Sequence, residues 1–320
     1  MKTGILFAGQ GSQHPGMGKD LYERFPAFRK AFDALTEQER QAAFEGPESE
    51  LVRTEITQPV LLAFAAGVYN ILREEIPGFA PDMAAGLSLG EYSALTAAGV
   101  FDFETALDLI RLRGRLMARQ AEGTNAVMSA VIGMERGQLK EFVERAGRDV
   151  SKSSSVTDEG HEFVEIANYN CPGQIVISGS ERAVAYCEKL ITESGAGKAI
   201  RLAVGGPFHT SCMKPVGDAL AEKFKEIQFG EMSFPVLFNY TGDIKKDDMT
   251  IRELLSRQVY SSVMFEDTIM NMSRNGIEQI IEVGPGKTLS GFVRKTDRKI
   301  KTMKAENIGD IEKIIAEYKC

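Results

Sequence analysis

Short apolar runs bounded by glycine alternate with segments of helical period over both ends of the chain. Residues 4–8 predict a strand that ends in the turn Gly9-Gln10-Gly11-Ser12-Gln13. Residues 60–72 are apolar nearly all round, the pattern of a buried helix, with Pro59 placed to begin it. A weak strand at 83–87 and helices at 90–98 and 105–120 follow. Later come a strand at 236–239, a helix at 251–259, a strand at 279–283 and a closing helix at 311–318. Such alternation implies a mostly parallel sheet covered by helices.

The middle of the chain has another order. A strand at 127–133, a helix at 138–146, strands at 163–167 and 174–178, a helix at 182–194 and a strand at 198–204 spell βαββαβ, the ferredoxin-like arrangement. We expect a small subdomain over 126–197 inserted into a larger α/β domain made of 1–125 and 198–320. The polar run 151–160, with its four serines, predicts a mobile surface loop.

Composition narrows the function. At about 150 residues per domain, 320 residues suit two compact units. The 38 Lys and Arg against 45 Asp and Glu leave a net charge of -7, which argues against nonspecific nucleic-acid binding. The four cysteines show no metal-ligand or disulfide spacing, so a metal site is not expected and a reducing cytoplasm is. The start lacks a signal-peptide pattern, and the apolar run 60–68 is too short to cross a bilayer, so no membrane contact is expected. Nothing implies an obligate interface, and a monomer is expected. Only His14, His161 and His209 can serve a mechanism that needs an imidazole.

Two glycine-rich turns imitate phosphate sites. Gly9-Gln10-Gly11-Ser12-Gln13-His14 carries His14 where the dinucleotide fingerprint needs glycine. Val283-Gly284-Pro285-Gly286-Lys287-Thr288 ends like a P-loop, but Ile281 stands where its first glycine belongs, and Pro285 lacks an N–H. Tight turns are the simpler reading.

Gly86-Leu87-Ser88-Leu89-Gly90 is a GxSxG motif between a strand and a helix. Such a turn is sharp enough to need glycine on both sides, and it presents the hydroxyl together with helix N-terminal amides. A serine nucleophile needs a base. His209 follows the strand that closes the inserted unit, in the kind of strand-end loop where α/β proteins assemble sites. No triad acid or HGGG loop is evident, so an ordinary esterase fits poorly. Arg113 falls at the centre of the apolar face of helix 105–120, opposite Arg111, Arg115 and Arg119. A buried guanidinium needs an anion, either an internal carboxylate or a substrate carboxylate.

Taken together, Phe7-Ala8-Gly9-Gln10-Gly11-Ser12-Gln13, the Ser88 motif with Glu91-Tyr92, Arg113-Gly114-Arg115-Leu116-Met117, Asn168-Tyr169-Asn170-Cys171-Pro172-Gly173-Gln174, Gly206-Pro207-Phe208-His209 and Glu282-Val283-Gly284-Pro285-Gly286-Lys287 resemble the malonyl-CoA:acyl carrier protein transacylases and the acyltransferase domains of polyketide synthases. The resemblance spans about 3–295. It implies a hydrolase-like, mostly parallel α/β core with a ferredoxin-like insertion. By similarity Ser88 is the nucleophile and His209 the base, Gln10 and Leu89 supply the oxyanion amides, and the Gln258 carbonyl orients the histidine. Arg113 would hold the malonyl carboxylate, and Leu89 and Phe208 accompany malonyl selectivity. The implied reaction is ping-pong malonyl transfer from malonyl-CoA to an acyl carrier protein in fatty-acid biosynthesis, with the coenzyme A thioester as substrate and no cofactor. The chain departs from the family at Leu87, where His is usual, at Ala8, where Pro is usual, and in the length of 151–160.

An acidic carrier needs a basic surface on this net-acidic protein. The run 294–304 is the densest, and a docking role competes there with that of an ordinary solvated face. Alternatives to the leading reading are a discrete acyltransferase of polyketide synthesis, a serine thioesterase or acyl hydrolase, and a non-catalytic carrier-binding subunit.

Overall fold

A computed structural model describes residues 1–153, 162–203 and 206–319. Strands β1 (Thr3–Phe7), β2 (Met83–Gly86), β9 (Gln279–Val283) and β10 (Lys301–Ala305) form a parallel sheet in the order β10-β9-β1-β2; the numbering counts β3–β8, located below. Every residue of β1, β2 and β9 is buried, as strands covered on both faces must be. The long helix Thr54–Glu75 packs in the main core with the helix Phe103–Ala121. It is long and apolar enough to cross a membrane, but 83% of its apolar window is buried inside the protein, which makes it a core helix.

A second sheet is antiparallel. It contains β3 (Ala126–Ile132), β4 (Val164–Cys171), β5 (Gln174–Ser180) and β6 (Lys198–Arg201) in the order β4-β5-β3-β6. With the helices Arg136–Ser153 and Glu181–Ser194 this is the expected βαββαβ order, and the strand order is the ferredoxin-like one. Because β6 pairs with β3, a boundary at 197 cuts in front of a strand that belongs to the smaller sheet.

One face of that sheet packs on its own helices through Val131, Ile166, Ile175 and Ile177. The other face carries Met128, Ala130, Asn168, Asn170, Gln174 and Val176 into a cleft against the parallel sheet. Residues 166 and 168 would share a face in a regular strand. A register shift between them turns Asn168 and Asn170 toward the cleft. The smaller sheet is tied to the loop before the helix Phe265–Arg274 by backbone bonds from Tyr169 N–H to the Val263 carbonyl and from Val263 N–H to the Ala167 carbonyl, both 2.8 Å. Arg136 adds ion pairs to Glu266 and Asp267.

Several expected elements shift. The helix expected at Pro59 begins at Thr54, and the proline sits inside it, where its ring forgoes the bond to the Glu55 carbonyl. The strand expected at 236–239 is reduced to β7 (Leu237–Phe238), paired with β8 (Asp243–Ile244); Val236 only bridges Ala84 of β2. Helices Lys19–Arg24, Pro26–Asp33, Glu37–Glu45, Glu48–Leu51, Lys214–Phe224, Phe265–Arg274 and Thr288–Thr296 and strand β10 were not foreseen. The helix Arg136–Ser153 takes in the first residues of the run read as a loop; the rest of 151–160, and His161, lie outside the described residues.

Candidate active site

The serine turn forms for steric reasons. A Cβ on Gly86 would lie 2.0 Å from the Gly90 carbonyl carbon, and one on Gly90 would lie 2.3 Å from the Phe7 carbonyl oxygen. Only residues without a side chain let strand, turn and helix approach this closely. Gly9 meets the same limit against the Leu87 carbonyl, at 2.5 Å, which brings the Gln10 turn onto the serine turn. Ser88 caps the helix Leu89–Ala97 with φ 55° and ψ -107°. Among the described residues, Ser88 and His209 are the non-glycine positions with positive φ. Such strain persists only where the surroundings impose it, and it concentrates at functional sites.

His209 Nε2 stands 2.8 Å from Ser88 Oγ, and His209 Nδ1 stands 2.9 Å from the Gln258 carbonyl oxygen. A carbonyl can only accept, so Nδ1 carries the ring proton and Nε2 accepts from the serine O–H. Burial, and then the positive charge of Arg113, depress the His209 pKa to about 4. The ring is therefore neutral at pH 7 and can take a proton. A carbonyl occupies the place a triad carboxylate would hold.

Arg113 is wholly buried. Its Nη1 donates to Gln58 Oε1 at 2.8 Å; its Nη2 donates to Ser88 Oγ and to Gln258 Oε1, each at 3.0 Å. All three acceptors are neutral. Among the described residues no carboxylate lies within ion-pair distance of it. The nearby acid is Glu91, also wholly buried, whose pKa burial raises to about 8, so it is protonated and neutral at pH 7. The Arg113 guanidinium lies over the Tyr92 ring at 5.6 Å, and its Nε has no hydrogen-bond partner. A buried cation without an anion is unstable unless something supplies one.

The amides around Ser88 divide into two kinds. Ser88 N–H donates to Asn239 Oδ1 at 2.7 Å. The N–H groups of Gln10 and Leu89 have no acceptor among the described residues. The Gln10 side chain is anchored by a bond from Nε2 to Thr54 Oγ1 at 3.1 Å. Ser88, His209, Gln10, Leu87 and Phe208 line a cleft of about 220 Å³ between the two sheets. Leu87 thus puts an apolar wall where the resembled family has His.

The Gly284–Thr288 turn does not present a free phosphate cradle. Buried Glu282 accepts from Leu289 N–H at 2.9 Å and Ser290 N–H at 2.8 Å, filling the N-terminus of the helix Thr288–Thr296 with its own carboxyl group. The basic run 294–304 is divided between that helix and the edge strand β10. Lys304 is engaged with Glu306 and Asp310, whereas Lys295 reaches the cleft residue Gln174 at 3.4 Å. His14 pairs with Glu306 away from Ser88.

The sequence reading missed Asn239, Gln58 and the Gln258 side chain. Asn239 could have been found, since it ends a predicted strand, where α/β proteins place site residues. Gln58 lies in the second turn of the helix Thr54–Glu75, just ahead of its apolar run, and carries no such signal.

A strained serine bonded to a neutral histidine, with two unpaired amides and a buried cation bonded only to neutral oxygens, is an arrangement that can perform acyl chemistry on a serine. The chain matches the family model described as acyl transferase domain over residues 5–314. It is 40% identical to the malonyl CoA-acyl carrier protein transacylase of Bacillus subtilis, covering 99% of this chain and 98% of that protein. The crystal structure of malonyl CoA-acyl carrier protein transacylase from Clostridium perfringens superposes with a TM-score of 0.89 at 35% identity, covering 100% of this chain and 98% of that one. A malonyl-transacylase solved in complex with a type II polyketide synthase acyl-carrier protein gives 0.90 at 34% identity, covering 99% and 100%. The chain belongs to the acyl transferase family.

Proposed function

We propose that this protein transfers a malonyl group from malonyl-CoA to the pantetheine thiol of an acyl carrier protein. Ser88 Oγ attacks the thioester carbonyl while His209 Nε2 takes the serine proton. The oxyanion is stabilised by the Gln10 and Leu89 N–H groups. Coenzyme A leaves as the thiol with the proton from His209, and a malonyl-serine ester remains. The carrier thiol then attacks that ester, losing its proton to His209, and Ser88 regains a proton as malonyl departs. These steps call for no cofactor.

The observation that carries this reading is Arg113, a wholly buried cation bonded only to neutral oxygens and touching Ser88 Oγ. Gln58, Ser88 and Gln258 hold its donors until the malonyl carboxylate takes them. An acetyl group would leave the cation unpaired, at about 3–5 kcal/mol. Phe208, in the cleft wall, limits the room for a branched acyl group.

The relatives named malonyl CoA-acyl carrier protein transacylase support the transfer itself; our reading of its setting is fatty-acid synthesis by a monomeric cytoplasmic enzyme. The neighbour bound to a polyketide carrier keeps a trans-acting role in polyketide synthesis as the second reading. Purified protein given equimolar carriers of both kinds, with malonyl-CoA, tests the setting: the fatty-acid carrier is expected to be loaded faster, and preference for the polyketide carrier would favour the second reading. Release of free malonate without loading of either would mean a hydrolase.

A further inference from the structure

Asn239 grips the serine turn from both sides. Its Oδ1 accepts from Ser88 N–H at 2.7 Å, and its Nδ2 donates to the Gly86 carbonyl at 2.7 Å. Asn239 is itself wholly buried, and its own N–H donates to Glu91 Oε2 at 2.5 Å. On the far side, Gln258 Nε2 donates to the Ser88 carbonyl at 2.8 Å. Both backbone polar groups of this positive-φ serine are therefore bound by side chains.

The consequence is chemical as well as structural. An amide in the Ser88 conformation would otherwise point its N–H into the turn without a partner, and a relaxed φ would carry Oγ away from His209 Nε2. Holding that N–H on Asn239 also removes it from the set of oxyanion donors, so the hole is confined to the Gln10 and Leu89 amides. We propose that Asn239, backed by Glu91, is a positioning residue that fixes the reactive conformation of Ser88 and selects which amides face the oxyanion. This rests on Ser88 being the nucleophile, as proposed above. Burial raises the Glu91 carboxyl above the ordinary carboxylate range, and the Asn239 N–H bond and the Arg113 charge offset that only in part.

The test compares wild type, Asn239→Ala and Asn239→Asp, each checked by its melting temperature. Two rates are measured at pH 7: single-turnover malonylation by malonyl-CoA, and inactivation by phenylmethanesulfonyl fluoride, which needs only a positioned serine and its base. Asn239→Ala is expected to lower both rates 30-fold or more, with the KM for malonyl-CoA within threefold. Asn239→Asp keeps an acceptor for Ser88 N–H and is expected to recover at least a third of the logarithmic loss in both rates. A folded Asn239→Ala within threefold of wild type, a KM effect without a rate effect, or an Asn239→Asp no faster than Asn239→Ala would each overturn the assignment. If Asn239→Ala does not fold, Asn239→Asp alone decides: inactivation 3-fold to 20-fold slower than wild type supports the role, and any other value refutes it. Wild type that reacts with the sulfonyl fluoride but takes no malonyl would refute malonyl transfer and leave the positioning role to be judged on inactivation rates.

Discussion

Arg113 Nη2 donates to Ser88 Oγ across 3.0 Å, so the buried cation touches the atom that would carry the acyl group. A guanidinium here cannot wait at the far end of a long pocket. In the proposed acyl-serine it would meet a carboxylate two carbons beyond the ester carbonyl, the length of a malonyl chain.

Replacing Arg113 with Gln removes the charge and keeps hydrogen-bonding capacity. The kcat/KM for malonyl-CoA is expected to fall by about 10²–10⁴, the size of a buried ion-pair loss of about 3–5 kcal/mol. Transfer of acetyl from acetyl-CoA is expected to hold or rise. Steady-state kinetics with both donors check this, and an equal fall for both would remove Arg113 from selectivity.

The pH dependence follows from His209. Its folded pKa is depressed to about 4 by burial and by Arg113, so the neutral ring is the form the fold favours. The base therefore stays competent as pH falls through its ordinary value of about 6.5, and is lost only as pH approaches 4. The same shift lowers stability as pH falls below about 6.5, because the unfolded chain then takes up a proton that the folded one refuses. A pH profile of kcat/KM should stay level from 8 to 6, and Arg113→Gln should move the acid limb upward. A wild-type limb centred at 6.5 or higher would contradict the buried, neutral histidine.

The serine turn depends on absent side chains. Gly90→Ala places a Cβ 2.3 Å from the Phe7 carbonyl oxygen, and backbone on both sides cannot yield. A loss of about 1–3 kcal/mol or more is expected, with activity falling further than stability. Gly291→Ala, also helical but with open space around the new methyl, is the control and should be neutral or slightly stabilising. Thermal melts of the two variants decide this.

The docking role proposed for the basic run is sharpened by its division. Exposed Lys295, whose Nζ donates only to the neutral Gln174 side chain, and exposed Arg298 can meet an acidic carrier, whereas Lys304 is occupied by Glu306 and Asp310. Lys295→Glu with Arg298→Glu is expected to raise the KM for the carrier several-fold, with the increase shrinking at high salt. A carrier KM unchanged at low salt would return the run to an ordinary surface.

Much of this site was legible in the residues. Ser88 stood out because its turn tolerates only glycine on either side, His209 because so few histidines exist, and Arg113 because helical period put a charge on an apolar face. What could not be read depends on contacts remote in sequence. Asn239 and Gln58 reach Ser88 and Arg113 from other elements; the strand end marks Asn239 as a place for a site residue but not its partner, and nothing local marks Gln58. The turn of Asn168 and Asn170 toward the cleft depends on a register shift that alternation alone does not encode. The helices between 19 and 51 were readable in part: Phe25, Phe28 and Phe32 recur at helical spacing, and Thr36 with Glu39 forms a capping box.

Intact mass spectrometry after incubation with malonyl-CoA tests the acyl-serine reading at its root. The wild-type chain should gain one malonyl group, lose it on addition of an acyl carrier protein, and gain none as Ser88→Ala. A malonyl adduct that persists in Ser88→Ala, or a wild-type chain that takes up none, would contradict it.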